Sequence, residues 1–72
     1  MILVSDFYYQ DSANNLKNEL TEKTKNNNFS VKKISNNKYR LSAGPFKNFH
    51  SLKTTYISLN NLGFEALNVY KD

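Results

Sequence analysis

Cysteine and tryptophan are absent from this chain of 72 residues, which has one proline, one methionine and two glycines. The lack of cysteine excludes a disulfide framework and a thiolate site. It leaves the redox compartment open, because a cysteine-free domain suits either the cytosol or the periplasm. Two glycines are too few for a Gly-rich phosphate loop. The apolar run at residues 1–4 is far too short for the hydrophobic segment of an export signal, and no run approaches a transmembrane length.

The chain does contain many aromatic residues and an excess of positive charge. Five phenylalanines and five tyrosines supply much of the core of what this length predicts to be one domain, residues 1–72. A domain of this size buries only about 60% of the surface of its unfolded chain, so the core is thin. The net charge of +4 favours an anionic partner such as nucleic acid, a lipid surface or an acidic polysaccharide, although scattered lysines also serve solubility alone.

Apolar periodicity predicts six elements. Alternation with a period of two predicts strands at residues 1–7, 29–34, 39–43 and 64–70. Apolar residues spaced by three and four predict helices at residues 12–24 and 49–62. The order strand, helix, strand, strand, helix, strand indicates an α+β fold of split βαβ (ferredoxin-like or RNP-like) order, a four-stranded antiparallel sheet with two helices on one face.

Local signals mark where these elements begin and end. Asp11 or Ser12 is the expected N-cap of the first helix, and Asn48 that of the second. Gly63 is expected to end the second helix in a left-handed conformation, and Phe64 to close back on the helix as in a Schellman motif. Residues 35–38 predict a hairpin whose asparagines adopt positive φ, and the doubled lysine at 32–33 predicts a bulge or an edge position.

A weak internal repeat agrees with this order. Three apolar residues of the first half recur in the second half with an offset of 39 residues: Phe7, Ala13 and Leu20 become Phe46, Leu52 and Leu59. We interpret the repeat as two βαβ-like halves that pack with approximate two-fold symmetry.

Groups suited to catalysis are sparse. Nothing in the pattern brings two of the six acidic residues together. The single histidine, His50, is expected in the first turn of the second helix, and a metal site would need partners that we do not find in the sequence. We therefore expect a non-enzymatic domain without metal or cofactor.

The sheet face opposite the helices is the expected binding surface. The core assignment rests on alternation and comprises Ile2, Val4, Tyr39, Leu41, Ala43 and Ala66. The outward residues are then Leu3, Ser5, Arg40, Ser42, Glu65, Leu67 and Val69, joined by Ser30, Lys32 and Ile34 if the second strand keeps phase. This mixture of apolar, cationic and hydroxyl groups suits a glycan, while the alternative is a solvated face on which Arg40 pairs with Asp6 or Glu65.

The segment Tyr39-Arg40-Leu41-Ser42-Ala43-Gly44-Pro45-Phe46, followed by Gly63-Phe64-x-Ala66, resembles the second half of a SPOR (sporulation-related repeat) domain. Val4-Ser5-Asp6-Phe7 and the following Ala13, Leu16 and Leu20 are similar to the first half, so the resemblance spans nearly the whole chain. The Gly-Pro-Phe half is the more specific of the two. This sequence departs from the family pattern at Leu3, where glutamine is common, and at Ser5-Asp6, where Gly-Ser is common.

The resemblance implies a non-catalytic module that binds septal peptidoglycan whose glycan strands have lost their stem peptides. It also implies a monomeric domain in the periplasm or cell envelope, part of a longer exported protein such as a division protein or a lytic transglycosylase of the rare lipoprotein A type. The expected glycan-binding residues are Leu3, Ser5, Asp6, Lys32, Arg40, Ser42 and Leu67.

Two other functions remain open at this point. An RNA-binding domain of RNP-like order would stack bases on aromatic residues of the open face, but the predicted outward residues of the central strands, Leu3, Ser5, Arg40 and Ser42, are not aromatic. A protein-interaction module would use a strand edge or a helix face, for which the sequence gives no positive sign. We favour neither nucleic acid nor membrane insertion.

Overall fold

The computed structural model describes residues 1–65 and 67–70. Its elements are β1 (Ile2–Phe7), α1 (Gln10–Thr24), β2 (Phe29–Ser35), β3 (Lys38–Ala43), α2 (Phe49–Asn61) and β4 (Asn68–Val69). The sheet order is β2-β3-β1-β4, and every neighbouring pair is antiparallel. The predicted α+β class, element order and antiparallel sheet are confirmed, and the topology is that of a ferredoxin-like fold.

The core lies between the sheet and the two helices. Its buried apolar residues come from β1, β2, β3 and both helices: Ile2, Val4, Leu20, Phe29, Leu41, Ala43 and Leu59. Phe7 and Phe46, which the repeat relates to each other, both pack against this cluster and are half-buried. The helices therefore cover one face of the sheet and leave the other face open.

β1 contains a bulge that strict alternation did not predict. Leu3 pairs with Ser42, but the next pair along the strands joins Ser5 to Leu41, and Asp6 then pairs with Arg40. In a bulge, two residues of one strand lie opposite a single residue of its partner. The phase of β1 consequently reverses at residues 4–5, so that Asp6 lies on the same face as Leu3.

The β2–β3 hairpin lies where the sequence predicted it, but the geometry of its turn differs from the prediction. β2 is an edge strand, and its register with β3 shifts between Lys33 and Ser35, as the doubled lysine predicted. Ser35 pairs with Lys38 across a two-residue connection. The prediction of positive φ in its asparagines is wrong, because Lys25 is the only non-glycine residue with positive φ in the described part of the chain. The register shift between Lys33 and Ser35 interrupts the regular ladder next to the turn, so the positive-φ turns that a regular two-residue hairpin favours are not required here.

Both caps of α2 were predicted correctly, but the N-cap of α1 was not. Asn48 caps α2, since its Oδ1 accepts a hydrogen bond of 2.8 Å from the amide of Ser51. At the other end the Phe64 amide donates to the Leu59 carbonyl over 3.1 Å, and Gly63 has a φ of 103°. These features define the expected Schellman motif. By contrast, α1 begins two residues earlier than predicted, and its N-cap is residue 9, which makes no side-chain capping bond.

β4 is much shorter than the strand predicted at residues 64–70. It comprises Asn68 and Val69, which pair with Leu3 and Ile2 of β1. The Schellman motif holds the start of this segment close to the end of α2, which leaves few residues to reach the sheet. The predicted core position of Ala66 lies outside the described residues.

Candidate ligand-binding face

A shallow groove of about 410 Å³ crosses the open face of the sheet. Its lining combines hydroxyl groups, cations, apolar side chains and one aromatic ring: Met1, Ser30, Lys32, Ile34, Arg40, Ser42 and Tyr70. The predicted site residues Lys32, Arg40 and Ser42 all belong to this lining. Sequence alternation therefore placed these three side chains of β2 and β3 correctly on the open face.

The strand register explains why these side chains meet. Ser30, Ser42, Leu3 and Asn68 form one row across all four strands, and Lys32, Arg40 and Asp6 form the next row. Residues directly opposite each other on antiparallel strands point to the same face. Ser42 is only 5% exposed and so provides a polar floor. Leu3, as predicted, lies on the open face and is half-buried.

Arg40 and Asp6 form a two-point ion pair on this face. The Arg40 Nε donates to Asp6 Oδ1 over 2.9 Å, and Nη2 donates to Oδ2 over 3.2 Å. The Lys38 Nζ lies 3.6 Å from Asp6 Oδ2. The Asp6 side chain is 30% exposed and that of Arg40 31%, so solvent reaches both. The alternative in which Arg40 pairs with Asp6 is therefore what the structure shows, and the pair forms part of the open face.

This pairing shifts the protonation equilibria of both groups. Hydrogen bonding from Arg40 holds the pKa of Asp6 below its ordinary value; partial burial opposes this, while the charges of Arg40 and Lys38 reinforce it. The same hydrogen bond raises the pKa of Arg40. Asp6 is thus a carboxylate at neutral pH, and it neutralises part of the positive charge of the face.

Two predicted site residues do not lie on the open face, and two others, Leu3 and Asp6, lie on that face but outside the groove lining. Ser5 lies opposite Leu41 after the bulge, so it points toward the helices. Leu67 packs against the hydrophobic core. The predictions of an outward Ser5 and an outward Leu67 are therefore wrong, the first because of the bulge. The second fails because the phase assumed for β4 is one residue out of step with its pairing to β1.

Val69, also predicted outward, lies on the helix side for the same reason, because it pairs with the buried Ile2. Together with Phe46, Phe49 and Leu52 it lines a depression of about 480 Å³. Phe49 is 75% exposed there. This depression is the larger of the two, but its lining is mainly apolar and offers fewer hydrogen-bonding groups to a polar ligand than the open face does.

Tyr70 is the functional candidate that sequence reasoning missed. It follows β4 and is held by two backbone hydrogen bonds: its amide donates to the Met1 carbonyl over 2.9 Å, and its carbonyl accepts from the Met1 amino group over 2.8 Å. Tyr70 lines the groove and also the helix-side depression beside Phe49, and the residue is 40% exposed. A correct phase for β4, with residue 68 outward, would have placed residue 70 outward as well.

Residues 1–65 and 67–70 contain neither a metal-binding cluster nor a membrane-spanning helix. In this part of the chain no three histidine, cysteine, aspartate or glutamate side chains are grouped so that they could hold a metal ion. Over the same residues, no helix has the length and apolar character needed to cross a bilayer.

Comparison with known proteins finds no relative of this chain. No family model matches the chain, and no curated protein and no solved structure matches it. The fold and the groove define a ferredoxin-like α+β domain with an open sheet face that is partly polar and partly apolar.

Proposed function

We propose that this domain is a non-catalytic peptidoglycan-binding module that binds glycan strands lacking stem peptides across the open face of its sheet. In this proposal it is one domain of a longer exported protein and directs that protein to the septum or cell wall, in the periplasm or cell envelope. The resemblance to SPOR domains motivates the choice of ligand. The observation that carries the proposal is the composition of the groove.

The groove offers the contacts that a sugar polymer uses. Pyranose rings present apolar C–H faces and a rim of hydroxyl groups. Tyr70 and Ile34 supply apolar surface, while Ser30 and Ser42 supply hydroxyl groups that both donate and accept hydrogen bonds. The groove lies on the outer face of the sheet, so a polymer can bind there without threading its ends. Sites that combine apolar walls with a few fixed polar groups are typical of small-molecule and carbohydrate ligands.

The charge of the face favours a strand whose peptides have been removed. An amidase that cleaves the link between a muramyl lactyl group and its stem peptide leaves a free carboxylate on the sugar. Lys32 and Arg40 line the groove and carry positive charge, and Arg40 keeps N–H donors beyond the two that Asp6 occupies. A stem peptide would remove this carboxylate and add bulk over a shallow groove.

Single-stranded RNA is the second candidate, because Tyr70, Lys32 and Arg40 bring one aromatic ring and two cations together. Against it, RNP-like domains stack bases on aromatic residues of the central strands. Here the outward residues of β1 and β3 are Leu3, Asp6, Arg40 and Ser42, as the register shows. If the domain shifts the gel mobility of a single-stranded oligonucleotide, and the shift depends strongly on salt, RNA would be favoured over glycan.

Sedimentation with purified sacculi tests the proposed function. The domain should pellet with sacculi, and more strongly after an amidase has removed the stem peptides. Failure to pellet with amidase-treated sacculi would rule the glycan proposal out.

Two substitutions in the groove should weaken this binding without unfolding the domain. Arg40→Ala removes a cation, and Tyr70→Ala removes the ring but leaves its backbone bonds to Met1 in place. Phe49→Ala is the matched control, since Phe49 is an exposed aromatic residue on the helix side. We expect each groove variant to bind about tenfold more weakly and the control to bind like the unmodified domain. Equal binding by all three variants would show that the open face is not the site.

A further inference from the structure

A second depression of about 410 Å³ lies at the end of the sheet where β1 leads into α1. Its lining comes from the last residues of β1, the residue that follows them and the β2–β3 hairpin: Asp6, Phe7, Tyr8, Asn37 and Lys38. Neither Tyr8 nor Asn37 belongs to the groove already described.

One ion-pair cluster separates this depression from the groove. Asp6 hydrogen-bonds Arg40, which lines the groove, and lies 3.6 Å from the ammonium group of Lys38, which lines the second depression. On β3, Ser42 and Lys38 are four residues apart, which corresponds to about 13 Å along the strand. The two depressions therefore follow each other along the strand direction, with charged hydrogen-bonding groups between them.

Tyr8 gives the second depression its aromatic surface. It is 77% exposed, so its ring contributes little to the core. The neighbouring Asn37 carries an amide that both donates and accepts, and the Lys38 side chain is 47% exposed. An accessible tyrosine ring beside such groups suits the stacking of a sugar ring whose hydroxyl groups are hydrogen-bonded at its edge.

We propose that Tyr8, Asn37 and Lys38 form a second sugar subsite, so that one glycan strand runs from the groove over the Asp6–Arg40 pair to Tyr8. This inference rests on the proposed function and deepens it. It assigns the domain a preference for long glycan strands, because only a ligand longer than about 13 Å reaches both depressions.

Calorimetric titration with peptide-free peptidoglycan fragments of defined length tests the subsite. The unmodified domain should bind an octasaccharide more tightly than a disaccharide. Tyr8→Ala should weaken binding of the octasaccharide about tenfold, the usual loss when one anchoring aromatic residue is removed. The affinity of the Tyr8→Ala variant for the disaccharide should stay unchanged, because the groove holds the disaccharide.

Tyr9→Ala provides a matched control. Tyr9 is 73% exposed and adjacent to Tyr8, but it has an extended backbone and does not line the second depression. It makes no side-chain capping bond to α1, so its truncation removes no cap. Circular dichroism would verify that both variants are folded, and the control should bind both fragments normally.

The outcomes separate the subsite from the proposed function. If Tyr8→Ala binds the octasaccharide as the unmodified domain does, the subsite is refuted while glycan binding stands. If the unmodified domain binds neither fragment, the proposed function fails and the subsite with it. If both tyrosine variants lose affinity equally, Tyr8 has no specific role and the assignment is wrong.

Discussion

At the scale of single residues, the pairing of Arg40 with Asp6 decides how the open face works. The sequence offered two interpretations of Arg40, a ligand contact or a partner in an ion pair. The structure shows the ion pair and also places Arg40 in the lining of the groove. An exposed pair of this kind contributes little to stability. Its main effect is to fix the guanidinium in one orientation, with its remaining donors available.

The depressed pKa of Asp6 predicts how stability depends on pH. The folded-state pKa lies below the unfolded value of about 3.9. The pair therefore stabilises the fold fully above about pH 4, and this contribution is lost as the pH falls through the lower folded-state value. Asp6→Asn should lower Tm by no more than about 5 °C at pH 7, and the two proteins should converge as the pH falls below the folded-state pKa of Asp6.

Thermal unfolding followed by circular dichroism at pH 7 and at about pH 2 would check this. Glu19→Gln is a suitable control, because Glu19 forms an exposed ion pair within α1 and far from the sheet face. A Tm difference between the Asp6→Asn variant and the unmodified domain that persists undiminished at the low pH would contradict the assignment.

At the scale of elements, the local signals at both ends of α2 were predictable, whereas the strand phases of β1 and β4 were not. The Asn48 cap and the Schellman motif at Gly63 follow from a few neighbouring residues, and both were predicted correctly. The bulge in β1 was not, because it is defined by pairing with β3, which is remote in sequence. For the same reason the phase of β4 was misassigned. These two errors account for the misplaced Ser5 and Leu67 and for the missed Tyr70.

The turn after β3 depends on Gly44. Its φ is 125°, and a Cβ atom added there would lie 3.1 Å from the Met1 Cγ, 3.2 Å from the Met1 Cα and 3.3 Å from the Phe46 Cε2. Gly44→Ala would therefore combine backbone strain with crowding and should destabilise the fold by about 2–3 kcal/mol.

Gly63→Ala is the matched comparison, since φ is 103° and nothing lies within 4 Å of the added Cβ. It should suffer the strain alone and lose less stability. Urea denaturation of the two variants would compare them directly. A larger loss for Gly63→Ala than for Gly44→Ala would show that the crowding at Met1 and Phe46 is unimportant.

At the scale of the whole molecule, one thin core supports an open sheet face. A chain of this length has a total stability of roughly 4–11 kcal/mol, so each buried side chain matters. Leu59 is fully buried and connects α2 to the strands. Leu59→Ala should cost about 3 kcal/mol and lower Tm by more than about 10 °C.

Ile57→Ala is the control on the same helix, because Ile57 is 48% exposed. It should change stability by no more than about 0.5 kcal/mol. Thermal unfolding would compare the two, and a similar loss for both variants would mean that α2 is not seated on the sheet through Leu59.

The central claim is that a peptide-free glycan strand binds across the open sheet face. The most direct measurement is an NMR titration of the isotopically labelled domain with a soluble, peptide-free peptidoglycan octasaccharide. We expect the changes in amide chemical shift to concentrate at Ser30, Arg40 and Ser42 and to extend to Tyr8, while the amides on the exposed side of α1 stay unchanged. Shifts confined to the helices, or none at saturating ligand, would contradict it.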